Sequence, residues 1–92
     1  MPDLNNNTSH HRYEMDVDGH IAFVDYRTEA GRLVLMHTEV PKALSGRGIG
    51  SQLARAVLED ARQRNQPIVA ECEFLAGYIA KHPEFAPLLG KC

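Results

Sequence analysis

At 92 residues with a formal net charge of -2, the chain is long enough for one modest hydrophobic core and too short for a second folded unit. The slightly acidic balance argues against nucleic acid as the principal partner, because duplex binders carry a basic surplus along one face. No apolar run approaches membrane-spanning length. Nothing at the start reads as a signal peptide, so the cytoplasm is the expected location; a monomer is the expected state. The two cysteines, Cys72 and Cys92, lack metal-ligand spacing and are expected to be free thiols.

Residues 1–9 are Asn-rich and polar with no periodic apolar face, which predicts a disordered lead-in ahead of a single domain over 10–92. Tyr13, Met15 and Val17 then alternate with charged residues, Asp18-Gly19 intervenes, and Ile21, Phe23 and Val24 follow. This is the pattern of a hairpin whose turn accepts positive φ. A second turn is expected at Glu29-Ala30-Gly31. Leu33-Val34-Leu35-Met36 is continuously apolar, as in a strand covered on both faces, and is placed at the centre of the sheet.

Between Gly48 and Asn65 the residues Ile49, Leu53, Ala54, Val57, Leu58 and Ala61 recur at three- and four-residue spacing, the mark of an amphipathic helix. Pro67 to Cys72 reads as a short buried strand. Phe74 to Lys81 reads as a second helix that stops before Pro83. The order is therefore β-β-β-α-β-α. The strand, crossover helix and strand imply a parallel pair inside an otherwise antiparallel, mixed α/β sheet.

The glycine-rich stretch Ser45-Gly46-Arg47-Gly48-Ile49-Gly50-Ser51 joins the third strand to the first helix. Glycines there turn the backbone tightly and leave N–H groups bare at the positive end of a helix, a setting that attracts an anion such as phosphate. It is not a P-loop, which needs Lys-Ser or Lys-Thr straight after its last glycine. Nor is it the dinucleotide fingerprint, whose third glycine would fall at Ser51. A tight turn without a ligand is the plainer alternative.

Gly48 and Gly50 fall on the two small positions of the (Gln/Arg)-x-x-Gly-x-(Gly/Ala) loop of the GNAT superfamily of acetyl-CoA-dependent N-acetyltransferases. With His37-Thr38-Glu39-Val40-Pro41 before the loop, and Cys72 and Tyr78-Ile79-Ala80-Lys81-His82-Pro83-Glu84-Phe85 after it, the chain resembles the small, truncated members of that superfamily. The resemblance runs from about Tyr13 to Phe85. It implies a GNAT-like fold that binds acetyl-CoA or coenzyme A and passes an acetyl group to an amine. It places the pyrophosphate on Ser45, Gly46, Arg47, Gly48, Ile49, Gly50 and Ser51, with Arg47 supplying charge because Ser45 stands where many members carry Gln or Arg. It runs the pantetheine arm along Thr38 to Val40. Tyr78 and His82, four apart on the last helix, are expected to flank the cofactor; packing that helix onto the sheet is the alternative for them.

His37 and Cys72 are the candidate chemical groups. An attacking amine must lose a proton, and a departing thiolate gains one. An imidazole ordinarily titrates near ~6.5 and a thiol near ~8.5, values suited to a general base and to a proton donor or acyl-accepting nucleophile. A strict period-two strand would put His37 on the face of Leu33, Leu35 and Glu39, and neighbouring strands would bring Cys72 to the same cleft. The alternatives are a satisfied core histidine and a small buried thiol. Glu39 is a second base candidate, against a solvated strand-end carboxylate. Because Asp18-Gly19 alone joins strands that full-length superfamily members separate with helices, the acceptor side is expected to be open, suiting a bulky amine such as one on a protein. It equally suits a non-catalytic acyl-CoA-binding module, or a ligand-free interaction domain.

Overall fold

The structure, a computed structural model, describes residues 4–89; residues 1–3 and 90–92, with Cys92 among them, lie outside the described residues. Five strands, β1 (Leu4–Asn7), β2 (Arg12–Val17), β3 (His20–Glu29), β4 (Arg32–Glu39) and β5 (Ile68–Ala70), form one sheet in sequence order. Helix α1 (Ile49–Gln63) crosses between β4 and β5, and α2 (Glu73–Lys81) follows β5. The first four strands are antiparallel and β4 pairs with β5 in parallel, the mixed sheet expected from the sequence.

The expected lead-in is corrected by β1. Its three asparagines hide a strand from any hydrophobic pattern, yet it pairs with β2 from Leu4↔Met15 to Asn7↔Arg12. Side chains reinforce the ladder. Tyr26 donates its hydroxyl to Asn6 Oδ1 at 2.5 Å, Asn7 Nδ2 donates to Glu14 Oε2 at 3.1 Å, and Leu4 packs on the core edge. The centre of the sheet moves accordingly: β3 is the middle strand, and β4 lies one in from the β5 edge.

Both two-residue hairpins form where expected, with left-handed φ at Asp18 (52°) and Ala30 (53°) ahead of their glycines. The buried residues of α1 are Ile49, Leu53, Ala54, Val57, Leu58 and Ala61, the six that the spacing picked out. They join Leu75 and Ile79 of α2 and Tyr13, Met15, Ala22, Val24, Leu33 and Leu35 of the sheet in a single core. Among the described residues, no helix adds a buried side chain to the other face of the sheet, which carries Glu14, Phe23, Asp25 and Arg27 at alternate positions. Two layers with one uncovered face are the result.

The register of β3 on β4 shifts once. Tyr26 pairs with Leu35 but Asp25 pairs with His37, so Met36 is an extra, bulged residue. Beyond the bulge every side chain of β4 changes face: Thr38, opposite the fully buried Val24, takes the core side, while His37 and Glu39 take the open side.

Candidate functional site

β4 ends at Glu39, and the chain enters a 3-10 turn over Lys42–Leu44, anchored by the buried Leu44. Backbone bonds from Ser45 N–H to Lys42 O (3.0 Å) and from Arg47 N–H to Leu44 O (3.3 Å) hold the loop. Gly48, at φ 70°, is the residue before α1 and offers no side-chain cap. The first α-helical bond at this end runs from Gln52 N–H to Gly48 O at 3.1 Å. The amides of Ile49, Gly50 and Ser51 therefore have no helical acceptor, and no acidic side chain stands in the first turn. A helix dipole with its positive end uncapped and unopposed is the consequence.

The loop glycines are small for two different reasons. A Cβ at Gly48 would meet nothing within 4 Å, so its requirement is the left-handed φ. Gly50 has ordinary helical dihedrals, but its Cβ would come within 3.1 Å of Phe74 Cζ and 3.7 Å of Val40 Cγ2. Here the requirement is close approach.

Around these residues lies a groove of about 310 Å³, walled by Val40, Ser45, Gly46, Gly48, Gly50, Ile49, Ser51 and Phe74. Of the residues expected at the pyrophosphate, Arg47 alone is turned away. Its guanidinium is 2.9 Å from Asp18 Oδ2 in the β2–β3 turn, so its charge is engaged elsewhere. Tyr78 and His82 line a second depression of about 290 Å³ together with Glu73, Gly77 and Lys81. This depression shares Ser51 and Phe74 with the groove. The two rings stack at 4.0 Å and 15°, and His82 Nδ1 donates to Tyr78 O at 2.9 Å, which leaves Nε2 as the ring's acceptor when the imidazole is neutral. Burial pushes the Tyr78 hydroxyl above its ordinary value.

Phe74 and Lys81 are site-lining residues that sequence reasoning passed over. Phe74, Gly77, Tyr78 and Lys81 stand at i, i+3, i+4 and i+7, one stripe of α2, whereas Leu75 and Ile79 form the buried stripe. Two stripes on one short helix are a readable signal of a second occupied face.

At the end of β5 the sheet splits. Pairing between β4 and β5 stops at Leu35↔Ala70. There the Leu35 carbonyl accepts both Glu71 N–H (3.0 Å) and Cys72 N–H (3.1 Å), while β4 runs on alone to Glu39. Cys72 is buried at the start of α2, past the end of the strand on which it was expected. Its Sγ meets Thr38 Oγ1 at 3.4 Å across the split. The expectation that His37 and Cys72 share one cleft is corrected. The Met36 bulge sends His37 to the open face, where its Nε2 pairs with Glu39 Oε1 at 2.9 Å and both side chains are more than half exposed. The site thus has two sides: a glycine-lined groove under the helices, and a His–Glu pair on the bare face, with the Thr38–Cys72 contact at the split between them.

The mixed sheet that opens beside a crossover helix with a glycine-built, uncapped start is a GNAT-like fold, and residues 12–88 match the family model described as GCN5-related N-acetyl-transferase. The chain belongs to that family, whose members generally use acetyl-CoA. It is similar to Protein NATD1 of Gallus gallus and of Mus musculus, 37% identical over 49 residues in each case. That match takes in 53% of this chain and 44% of the relatives' own length. It is also similar to a GCN5-like protein of Staphylococcus aureus solved by NMR, with a TM-score of 0.71 and 25% identity, over 98% of this chain and 89% of that one.

Proposed function

We propose that the chain binds acetyl-CoA along the groove and transfers its acetyl group to an amine presented on the open face of the sheet. The observation that carries this reading is the uncapped start of α1, with three amides and no carboxylate beside a groove whose wall residues Val40 and Phe74 follow by two positions Thr38 and Cys72, which meet at the split between β4 and β5. This donor set fits a pyrophosphate: backbone N–H groups bind it with no carboxylate in the first turn of the helix, and the ring of Phe74 gives the groove an apolar wall.

When bound, acetyl-CoA supplies an activated acyl carbon and a thiolate leaving group. The chain's own part is to position and to move protons. The amides of Ile49, Gly50 and Ser51 would hold the phosphates, and the β4 edge at Thr38 and Glu39, with Val40 just beyond it, would orient the arm. Glu39 accepts the Nε2–H of neutral His37, which leaves Nδ1 free to take a proton from the acceptor amine. Cys72 Sγ, held by Thr38, is the group that returns a proton at the split. A non-catalytic acyl-CoA-binding module is the second reading, favoured by the separation of His37 and Cys72 onto opposite sides of β4.

Calorimetry with acetyl-CoA and with CoA tests the reading against a Ser51→Glu variant. A carboxylate in the first turn stabilises a helix start yet repels a phosphate, so the variant is expected to melt no lower than the wild type and to lose the ligand. Binding that survives the substitution, or no binding by the wild type, overturns the assignment. Turnover of a general amine panel, abolished in His37→Gln with CoA affinity intact, separates enzyme from binding module.

A further inference from the structure

One ion pair ties the glycine loop to the β2–β3 hairpin. Arg47 leaves the loop between Gly46 (φ 80°) and Gly48 (φ 70°) and reaches Asp18, Nη1 to Oδ2 at 2.9 Å. Arg47 is the one cation between Leu44 and Ser51, so its position decides how much side-chain charge the groove can offer an anion. The hairpin does not need the Asp18 carboxylate. It is the Asp16 carboxylate that accepts the Gly19 N–H, at 3.0 Å, and the φ of 52° at Asp18 suits asparagine as well as aspartate. A carboxylate without a turn-forming role thus holds the loop's cation away from the groove.

The geometry points to Asp18 as an affinity-setting residue: it competes with the phosphate of a bound ligand for the Arg47 guanidinium. This inference rests on the reading that the loop takes the pyrophosphate of CoA. When a phosphate draws Arg47 from Asp18, one exposed ion pair is exchanged for another. The brake is therefore mild, and salt weakens it. Asp18 touches no reacting atom, so its effect belongs to affinity and leaves the chemical step alone.

The test is a double-mutant cycle on the full chain, with CoA as the probe in calorimetry at low and at raised salt. Asp18→Asn keeps the turn and removes the charge, and it is expected to bind CoA about threefold tighter, within the roughly fivefold that an exposed pair allows. Arg47→Gln is expected to bind more weakly, and D18N/R47Q to behave as R47Q alone, because the brake acts through the guanidinium. The gain in D18N should shrink as salt rises. Unchanged or weaker binding in D18N overturns the proposal, since Asp18 would then be inert or would be pre-orienting Arg47 for the ligand. A gain that persists in the R47Q background also overturns it, because it would be general charge repulsion and not competition for the guanidinium. If neither the wild type nor any variant binds CoA, the loop reading itself has failed and the brake falls with it, a pattern distinct from intact binding with no response at Asp18.

Discussion

Gly48 and Gly50 lie two residues apart and respond to opposite substitution logic. At Gly48 an added methyl has room but the φ of 70° is hostile to it, so Gly48→Ala is expected to lower stability by roughly 1 kcal/mol, read by thermal or denaturant melts. At Gly50 the φ is ordinary, and the methyl meets the tip of an aromatic ring that is 44% exposed. Such a ring gives way easily, and alanine in place of glycine favours the helix by about 0.5–1 kcal/mol. Gly50→Ala should therefore melt at or above the wild-type temperature while the displaced Phe74 narrows the groove, lowering CoA affinity several-fold by calorimetry. A parallel fall in stability and affinity would mean that the ring is locked. For the His–Glu pair, His37→Gln is expected to cut any amine-dependent turnover by ~10²–10⁴, the range for loss of a general base, with CoA affinity unchanged. Equal turnover in the variant would remove His37 from the mechanism.

Among elements, α1 was the most readable because its six apolar positions all face one core, and periodicity reports only such agreement. Leu53, fully buried near its start, should cost about 2–5 kcal/mol when cut to alanine, measured by urea unfolding. β4 was less readable. Its composition looks like a uniform strand, but Met36 is an extra residue, and one extra residue inverts the facing of everything after it. The period-two argument therefore assigned His37 to the face that Thr38 occupies. β1 was hidden for a different reason. An edge strand held by backbone pairing and asparagine side chains needs no alternating apolar pattern. In α2 the second stripe of Phe74, Tyr78 and Lys81 was present in the sequence, but a short helix with both stripes looks merely apolar until its neighbours are known.

For the whole molecule, the element that most strongly couples stability to pH is the Tyr13 hydroxyl, buried between sheet and helix with Asp60 Oδ2 at 3.3 Å and receiving a hydrogen bond from Arg64 Nη2 at 2.8 Å. Burial pushes its pKa up to about 12, above the ordinary phenol value, with Arg64 opposing the shift and Asp60 adding to it. In the unfolded chain the phenol ionises near ~10. Stability should thus be level below that pH and fall as pH rises from there towards the folded value, by at most about 2–3 kcal/mol. Denaturant melts across that window check the sign, and Tyr13→Phe should flatten the decline.

The order of the elements from β2 onward, the buried stripe of α1, both tight hairpins and the glycine loop at the start of the crossover helix were legible before any fold was known, because each is written in local spacing or in a local φ requirement. Tertiary structure alone decided which face His37 presents, where β4 parts from β5, that Arg47 is engaged by Asp18, and that Phe74 closes over Gly50. Each of these depends on the registration of chain segments distant in sequence, and a single bulged residue is enough to change that registration without leaving any mark in composition.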